Sequence, residues 1–244
     1  MMRIISRIDY KNDFVIKGRR YEGFRKVGKV REVVNAYYNA GAAEFLFYDS
    51  VAALFGSAKL LDAIPQISQR IFSPITAGGG VRNLEHADML FKAGADRIAL
   101  NTAVFKNPQL VVDIAQKYGA QAITAMVEIR NLEGSWRLFR ELGREPIDIA
   151  FLDSLKICSD MGIGEVCITA IDHDGLMNGF PLEILELVPE SFPLPIVLSG
   201  GIATPDHINL LKTCEKGWLS GVAIGTAFHH QITRIDEFND KFIR

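Results

Sequence analysis

Cysteine is scarce, with only Cys158, Cys167 and Cys214 in 244 residues. An odd number at those separations makes neither a disulfide framework nor a paired metal-ligand spacing, so the three are read as reduced thiols. An excess of one charge is also missing. Lys and Arg number 27 against 29 Asp and Glu, and a net charge of −2 gives no general pull toward nucleic acid or an anionic membrane. No run of eighteen apolar residues is present, and the opening MMRIISRIDYKND carries Arg and Asp where a signal peptide needs an apolar stretch. These absences point to a cytoplasmic protein with neither a nucleic-acid nor a membrane partner. The five histidines do not fall at metal-ligand spacing, and His229 and His230 lack a third ligand. No metal and no organic cofactor are expected.

What is present is a repeating unit. Short apolar runs recur at RIISRID (3–9), EFLFYD (44–49), SPITAGG (73–79), DRIALN (96–101), AITAMVE (122–128), EVCITAID (165–172), PIVLSGG (195–201) and GVAIGTA (221–227). Between them lie amphipathic stretches such as 30–41, 84–94 and 207–217, each closing on a glycine suited to end a helix. Strands that are apolar almost throughout are covered on both faces, as in a parallel sheet wrapped in helices. Eight such units predict a single (β/α)₈ barrel over residues 1–244. A doubly wound open sheet is the rival, but the two halves of the chain resemble each other. Gly41-x-x-Glu44 matches Gly162-x-x-Glu165, and Gly79-Gly80-Val81 matches Gly200-Gly201-Ile202, all at an offset of 121 residues. Half-barrels of about 1–120 and 121–244, related by duplication, close naturally into eight strands.

In such a barrel the chemistry lies where the strands end. The glycine turns at Gly78-Gly79-Gly80 and Ser199-Gly200-Gly201 let backbone N–H groups approach phosphate oxygens. Each is followed one strand later by a hydroxyl-bearing loop, Asn101-Thr102 and Gly225-Thr226. Two phosphate sites across the mouth suit a long substrate with a phosphate at each end. Asp9 and Glu128, ending the first and fifth strands, are placed between them as a general acid and base. Lys17, in the loop after the first strand, is expected to close on the substrate as a cation.

Asp9-x-Lys11, Val15-x-Lys17-Gly18, Ala77-Gly78-Gly79-Gly80-Val81, Gly94-Ala95-Asp96, Asn101-Thr102-Ala103, Ile171-Asp172-His173-Asp174-Gly175 and Ser199-Gly200-Gly201 together resemble the histidine-biosynthesis barrel family. The resemblance covers nearly the whole chain and lies closer to the family's ammonia-using cyclases than to its sugar-phosphate isomerases. It implies a lyase that takes ammonia from a glutaminase subunit docked at the barrel bottom as a heterodimer. That ammonia is combined with a phosphoribulosyl nucleotide, giving imidazole glycerol phosphate and an aminoimidazole carboxamide ribotide.

By position the resemblance implies that Asp9 and Lys17 are catalytic, that Gly80, Asn101 and Thr102 hold one phosphate, and that Asp174, Gly175, Gly201, Gly225 and Thr226 hold the other. It also implies a charged ring of Arg3, Glu44, Arg97 and Glu165 around the ammonia entrance, with Asp96 at the partner interface. Glu128 stands where the family has aspartate, Arg97 where it has lysine, Leu176 where it has a hydroxyl residue and Pro181 where it has an acid. A paralogue supplying ammonia to amidate a surface sugar, and a phosphosugar isomerase, are the alternatives.

Overall fold

The computed structural model describes residues 2–49 and 60–242; residues 1, 50–59 and 243–244 of the expected domain lie outside the described residues. Eight parallel strands close into a barrel: β1 (Arg3–Lys11), β4 (Glu44–Asp49), β5 (Ile75–Gly78), β6 (Arg97–Leu100), β7 (Ile123–Leu132), β10 (Glu165–Ala170), β11 (Ile196–Ser199) and β12 (Leu219–Ile224). Each pairs in parallel with the next, and β12 returns to β1 through Arg3 opposite Gly221 and Ser6 opposite Ile224. The open-sheet alternative is thereby excluded. Strands β4 and β10 are buried at every residue, as strands covered on both faces must be.

The helices follow from local chemistry. In α1 (Val30–Asn39), Val30 and Val34 lie one turn apart and share the buried face. Helix α2 is Leu60–Ser68. Helix α3 (Leu84–Ala93) starts where the Asn83 side chain accepts the His86 N–H at 2.9 Å and ends on Gly94 at φ +108°. Two helices follow β6, α4 (Thr102–Lys106) and α5 (Pro108–Tyr118); α6 (Phe151–Asp160) and α7 (Glu183–Leu187) follow later. Helix α8 (Pro205–Thr213) begins with proline at its first position behind Thr204. The chain finishes with α9 (Thr226–His229) and α10 (Ile235–Phe242).

The apolar runs therefore fall on the strands as read, whereas two antiparallel hairpins were not foreseen. Strands β2 (Phe14–Arg19) and β3 (Glu22–Lys29) extend the top of β1, and β8 (Ser135–Arg140) and β9 (Glu145–Ala150) extend the top of β7. Lys17 is consequently a strand residue rather than a loop residue. The two hairpins grow from the first and fifth barrel strands and meet above the mouth, where Tyr21, Phe139, Leu142 and Ile171 pack together with Phe24 against them.

Inside the barrel the residues of β1 that alternate inward form a ladder of layers. The lowest holds Arg3 with Glu44, Arg97 and Glu165. Above it Ile5, Leu46, Ala99, Met126, Cys167, Val197 and Ala223 make an apolar layer separate from the helix-facing core. Arg7, Asp9, Glu128, Thr169 and Ser199 follow at the mouth, all buried.

The half-to-half likeness extends to backbone geometry. Gly79 and Gly200 have φ of +100° and +101°, and Gly80 and Gly201 have +72° and +81°. Only glycine adopts these angles without strain. At Gly200 a Cβ would also stand 2.5 Å from the Ala170 carbonyl oxygen. Gly200→Ala should therefore cost more than about 2 kcal/mol in urea unfolding, whereas Gly217→Ala, where a Cβ meets nothing within 4 Å, should change stability by less than about 0.5 kcal/mol. Equal losses would show that the turn is not under this constraint.

Candidate active site

The mouth is organised around two cations and three carboxylates. Asp9, at the top of β1, receives Arg7 Nε on Oδ1 at 3.0 Å and Lys17 Nζ on Oδ2 at 2.8 Å. Lys17 reaches it because β2 folds back over the barrel, and the same ammonium donates to both oxygens of Asp174 at 2.9 Å. The Arg7 guanidinium goes on to Thr169 Oγ1 and Ser199 Oγ, each at 3.1 Å, and to the Tyr21 hydroxyl at 3.0 Å. Tyr21 donates in turn to Glu128 Oε1 at 3.2 Å. Glu128 Oε2 is buried and has no partner among the described residues.

These contacts separate the two carboxylates electrostatically. Burial alone would push both upward. At Asp9 the charges of Arg7 and then Lys17 outweigh burial and hold the carboxyl well below the usual carboxylate range. At Glu128 burial prevails over the more distant Arg7 charge and the Tyr21 hydrogen bond, raising it from 4.5 to about 7. Lys17 is held above its ordinary value, burial notwithstanding, by Asp174 and Asp9. The expected acid and base are thus brought into one buried cluster, and Lys17 is in it as an ion-pair partner.

The glycine cradles flank this cluster. On one side Gly79, Gly80, Asn101 and Thr102 line a cavity of about 240 Å³, with Tyr48 and Glu141. The Asn101 amide donates to the Met126 carbonyl at 3.0 Å, so its side chain secures β7 while Gly80 and Thr102 face the space. On the other side a cavity of about 910 Å³ is lined by Lys17, Gly175, Met177, Thr226, His229 and His230. Gly201 and Gly225 stand next to Thr226 around a smaller recess that Gly175 shares. The Asp174 carboxylate, expected among the phosphate residues, lines that same recess and pairs with Lys17, which ties the β2–β3 hairpin to it. Close approach reinforces that docking, since a Cβ on Gly175 would lie 2.4 Å from the Gly18 carbonyl oxygen.

At the opposite end Arg3 bridges Glu44 at 3.1 Å and Glu165, and Arg97 bridges Glu44 at 3.0 Å and Glu165 at 3.9 Å. All four expected ring residues therefore meet. Burial raises Glu44 above its ordinary value even though Arg3 and Arg97 oppose it. Asp96 is exposed on the same rim, and its Oδ2 accepts the Ile75 N–H at 2.8 Å.

Sequence reading missed Arg7 and Tyr21. Arg7 was detectable as the polar residue two before Asp9, on the same strand face. Tyr21 carries no such signal, because its place depends on the hairpin. His229 Nδ1 lies 2.6 Å from the Tyr37 hydroxyl, and burial, followed by the Lys17 charge, lowers its pKa to about 3. Among the described residues no group of three or more His, Cys, Asp or Glu is arranged to hold a metal, and no helix is long and apolar enough to cross a membrane.

The profile of the family described as "Histidine biosynthesis protein" matches residues 3–234. The chain belongs to that family. It is 37% identical to the imidazole glycerol phosphate synthase subunit HisF of Legionella pneumophila over 85% of this chain and 99% of that protein. Subunits of the same name from Streptococcus gordonii, 33% identical over 96% and 93%, and Metallosphaera sedula, 32% identical over 98% and 94%, are similar across almost the full length. Every residue expected at the mouth, the cradles and the ring lies inside the span matched to the family.

The Glu128 environment fixes a pH dependence. Its folded value of about 7 exceeds the ordinary 4.5, so between those limits the folded state holds a proton that the unfolded state has released. Stability from this group is full below about pH 4.5 and is lost as pH rises through about 7. Glu128→Gln cannot ionise. Measured by urea unfolding, its stability relative to wild type should improve by about 3 kcal/mol between pH 4.5 and 8, with no improvement expected if Glu128 were an ordinary solvated acid.

Proposed function

We propose that the protein is the cyclase subunit of an imidazole glycerol phosphate synthase. It would combine ammonia from a glutaminase subunit with a bisphosphorylated phosphoribulosyl nucleotide, giving imidazole glycerol phosphate and an aminoimidazole carboxamide ribotide. The observation that carries this is the pair of glycine cradles of matching backbone geometry on either side of a buried carboxylate pair. Such a mouth suits an elongated substrate held at both phosphates with its reactive carbons over Asp9 and Glu128. The shared name of the relatives favours this reading over sugar amidation or isomerisation.

The chemistry requires proton traffic. When ammonia condenses with the ketone of a ribulosyl chain, an N–C bond forms, two protons leave nitrogen, and the C–O bond breaks as oxygen departs with both protons as water. A carboxyl group able both to take and to give a proton near neutral pH serves both transfers. Gly80 and Thr102 would hold one phosphate, with Asn101 fixing their loop; Gly175, Gly201, Gly225 and Thr226 would hold the other. Lys17 and Asp174 keep the β2–β3 hairpin over the substrate and exclude water.

Ammonia would enter from below through the ring of Arg3, Glu44, Arg97 and Glu165, where parting ion pairs opens a path into the apolar layer. Ammonium cannot follow, because it would leave water with its charge. The glutaminase would dock on this rim as the second subunit of a heterodimer, with Asp96 at the contact.

Given the phosphoribulosyl nucleotide and ammonium salt alone, the purified protein should release imidazole glycerol phosphate; absence of turnover would contradict the reading. Because the Asp96 oxygen also caps the β5 backbone, Asp96→Asn is the cleaner interface probe: it keeps an acceptor and removes the charge. It should lower glutamine-dependent turnover about tenfold and leave ammonium-dependent turnover within about twofold. Equal losses would mean that Asp96 serves the barrel alone.

A further inference from the structure

Arg7 is 1% exposed, and its donors are distributed over four partners from three strands and the hairpin: Asp9, Thr169, Ser199 and Tyr21. It thereby determines what each mouth carboxylate is free to do. Both oxygens of Asp9 are occupied by cations, Oδ1 by Arg7 and Oδ2 by Lys17, so neither is open to a proton. Glu128 meets Arg7 only through the Tyr21 hydroxyl, and its second oxygen is free of partners among the described residues.

We infer that Arg7 is a positioning residue that divides the labour of the two carboxylates, fixing Asp9 as a permanent anion and leaving Glu128 as the one that carries protons. The inference rests on the cyclase reading and goes beyond it, since that reading assigns acid–base work to the pair without distinguishing them.

The groups around Glu128 support the division. Arg7 and Asp9 face it from β1, Tyr48 from β4, Cys167 from β10, Asp174 from the turn after β10, and Tyr21 from the hairpin. Burial pushes the Tyr21 and Tyr48 hydroxyls up and the Cys167 thiol to about 12, so all three stay protonated at neutral pH. His229, lowered to about 3, stays neutral, while Arg7 and Lys17 stay charged. The cations Arg7 and Lys17 balance the anions Asp9 and Asp174. A protonated Glu128 leaves the buried cluster neutral, and an ionised one leaves it with a single negative charge. On the cyclase reading, ionised Glu128 takes each proton as the N–C bond forms and gives it to the oxygen that leaves as water.

The test is the pH dependence of ammonium-driven turnover, with the concentration of free ammonia held constant. In wild type kcat should rise through one inflection near pH 7, and Glu128→Gln should abolish the inflection. Arg7→Met removes a positive charge that favours the ionised form of Glu128, so the inflection should move up by about one pH unit, whereas Arg7→Lys should restore it to the wild-type position at lower kcat. An Arg7→Met profile that is merely lower at every pH would overturn the inference. Urea unfolding against pH supplies the same reading without turnover: the pH at which stability falls should rise in Arg7→Met, or in the milder Arg7→Gln, and not in Arg7→Lys. An unmoved midpoint overturns the inference even if turnover is absent. A moved midpoint in a protein that makes no imidazole product would sustain the division of charge while the cyclase reading fails.

Discussion

The buried ion cluster of Arg7, Asp9, Lys17 and Asp174 is the constraint from which the rest of the mouth follows. Removing each ion from water costs several kcal/mol, and the cost is offset only if opposite charges meet with good geometry. Arg7 and Asp9 come from the same strand, but a second cation is needed for Asp9 and Asp174 together, and Lys17 brings it from the β2–β3 hairpin. Closure of the hairpin and neutralisation of the mouth are thus one event. The close approach of Gly18 to Gly175 and the packing of Tyr21 against Phe139, Leu142 and Ile171 accompany it. Two hairpins rooted on opposite barrel strands meet over the site, where simple loops would leave the charges to water.

The same balance explains the axial order of the barrel. A ring of ion pairs at the bottom and a charged cluster at the top are separated by an apolar layer one residue thick, set by the alternation Arg3, Ile5, Arg7, Asp9 along β1. Charged ends keep water and ions in their places, and the middle layer offers nothing to hold a cation. On the proposed reading, a neutral nitrogen donor arriving from below would meet an acid–base group only above Arg7. The glycine turns flanking that point complete a mouth with a cavity on either side of the buried carboxylates, as the proposed bisphosphate substrate requires.

Much of this was legible in the sequence. The eight strands, the helix-ending Gly94, the paired turns at 79–80 and 200–201, and the ring residues Glu44 and Glu165 all announce themselves through apolar runs, glycine positions or the 121-residue repeat. Their geometry is set locally, by one strand or one turn. The residues that were hidden depend on nonlocal contacts. Lys17 was legible as a cation near the mouth, but not as a strand residue paired with Asp9, and Tyr21 after it stays hidden until the hairpin turns it inward; the charge of Arg7 looks out of place in a strand until Asp9, Thr169 and Ser199 converge on it. Asp174 was assigned to phosphate from the family resemblance alone, and no local pattern announces that its carboxylate also pairs with Lys17 beside Gly175 and Gly201.

The account stands on an asymmetry between two buried acids. It is tested most directly by following the side-chain carboxyl ¹³C resonances of Asp9 and Glu128 in the unliganded wild-type protein from pH 5 to 9. Glu128 should titrate with a midpoint near 7 and Asp9 should remain ionised throughout. Titration of Asp9 within that range, or a Glu128 already ionised at pH 5, would contradict the account.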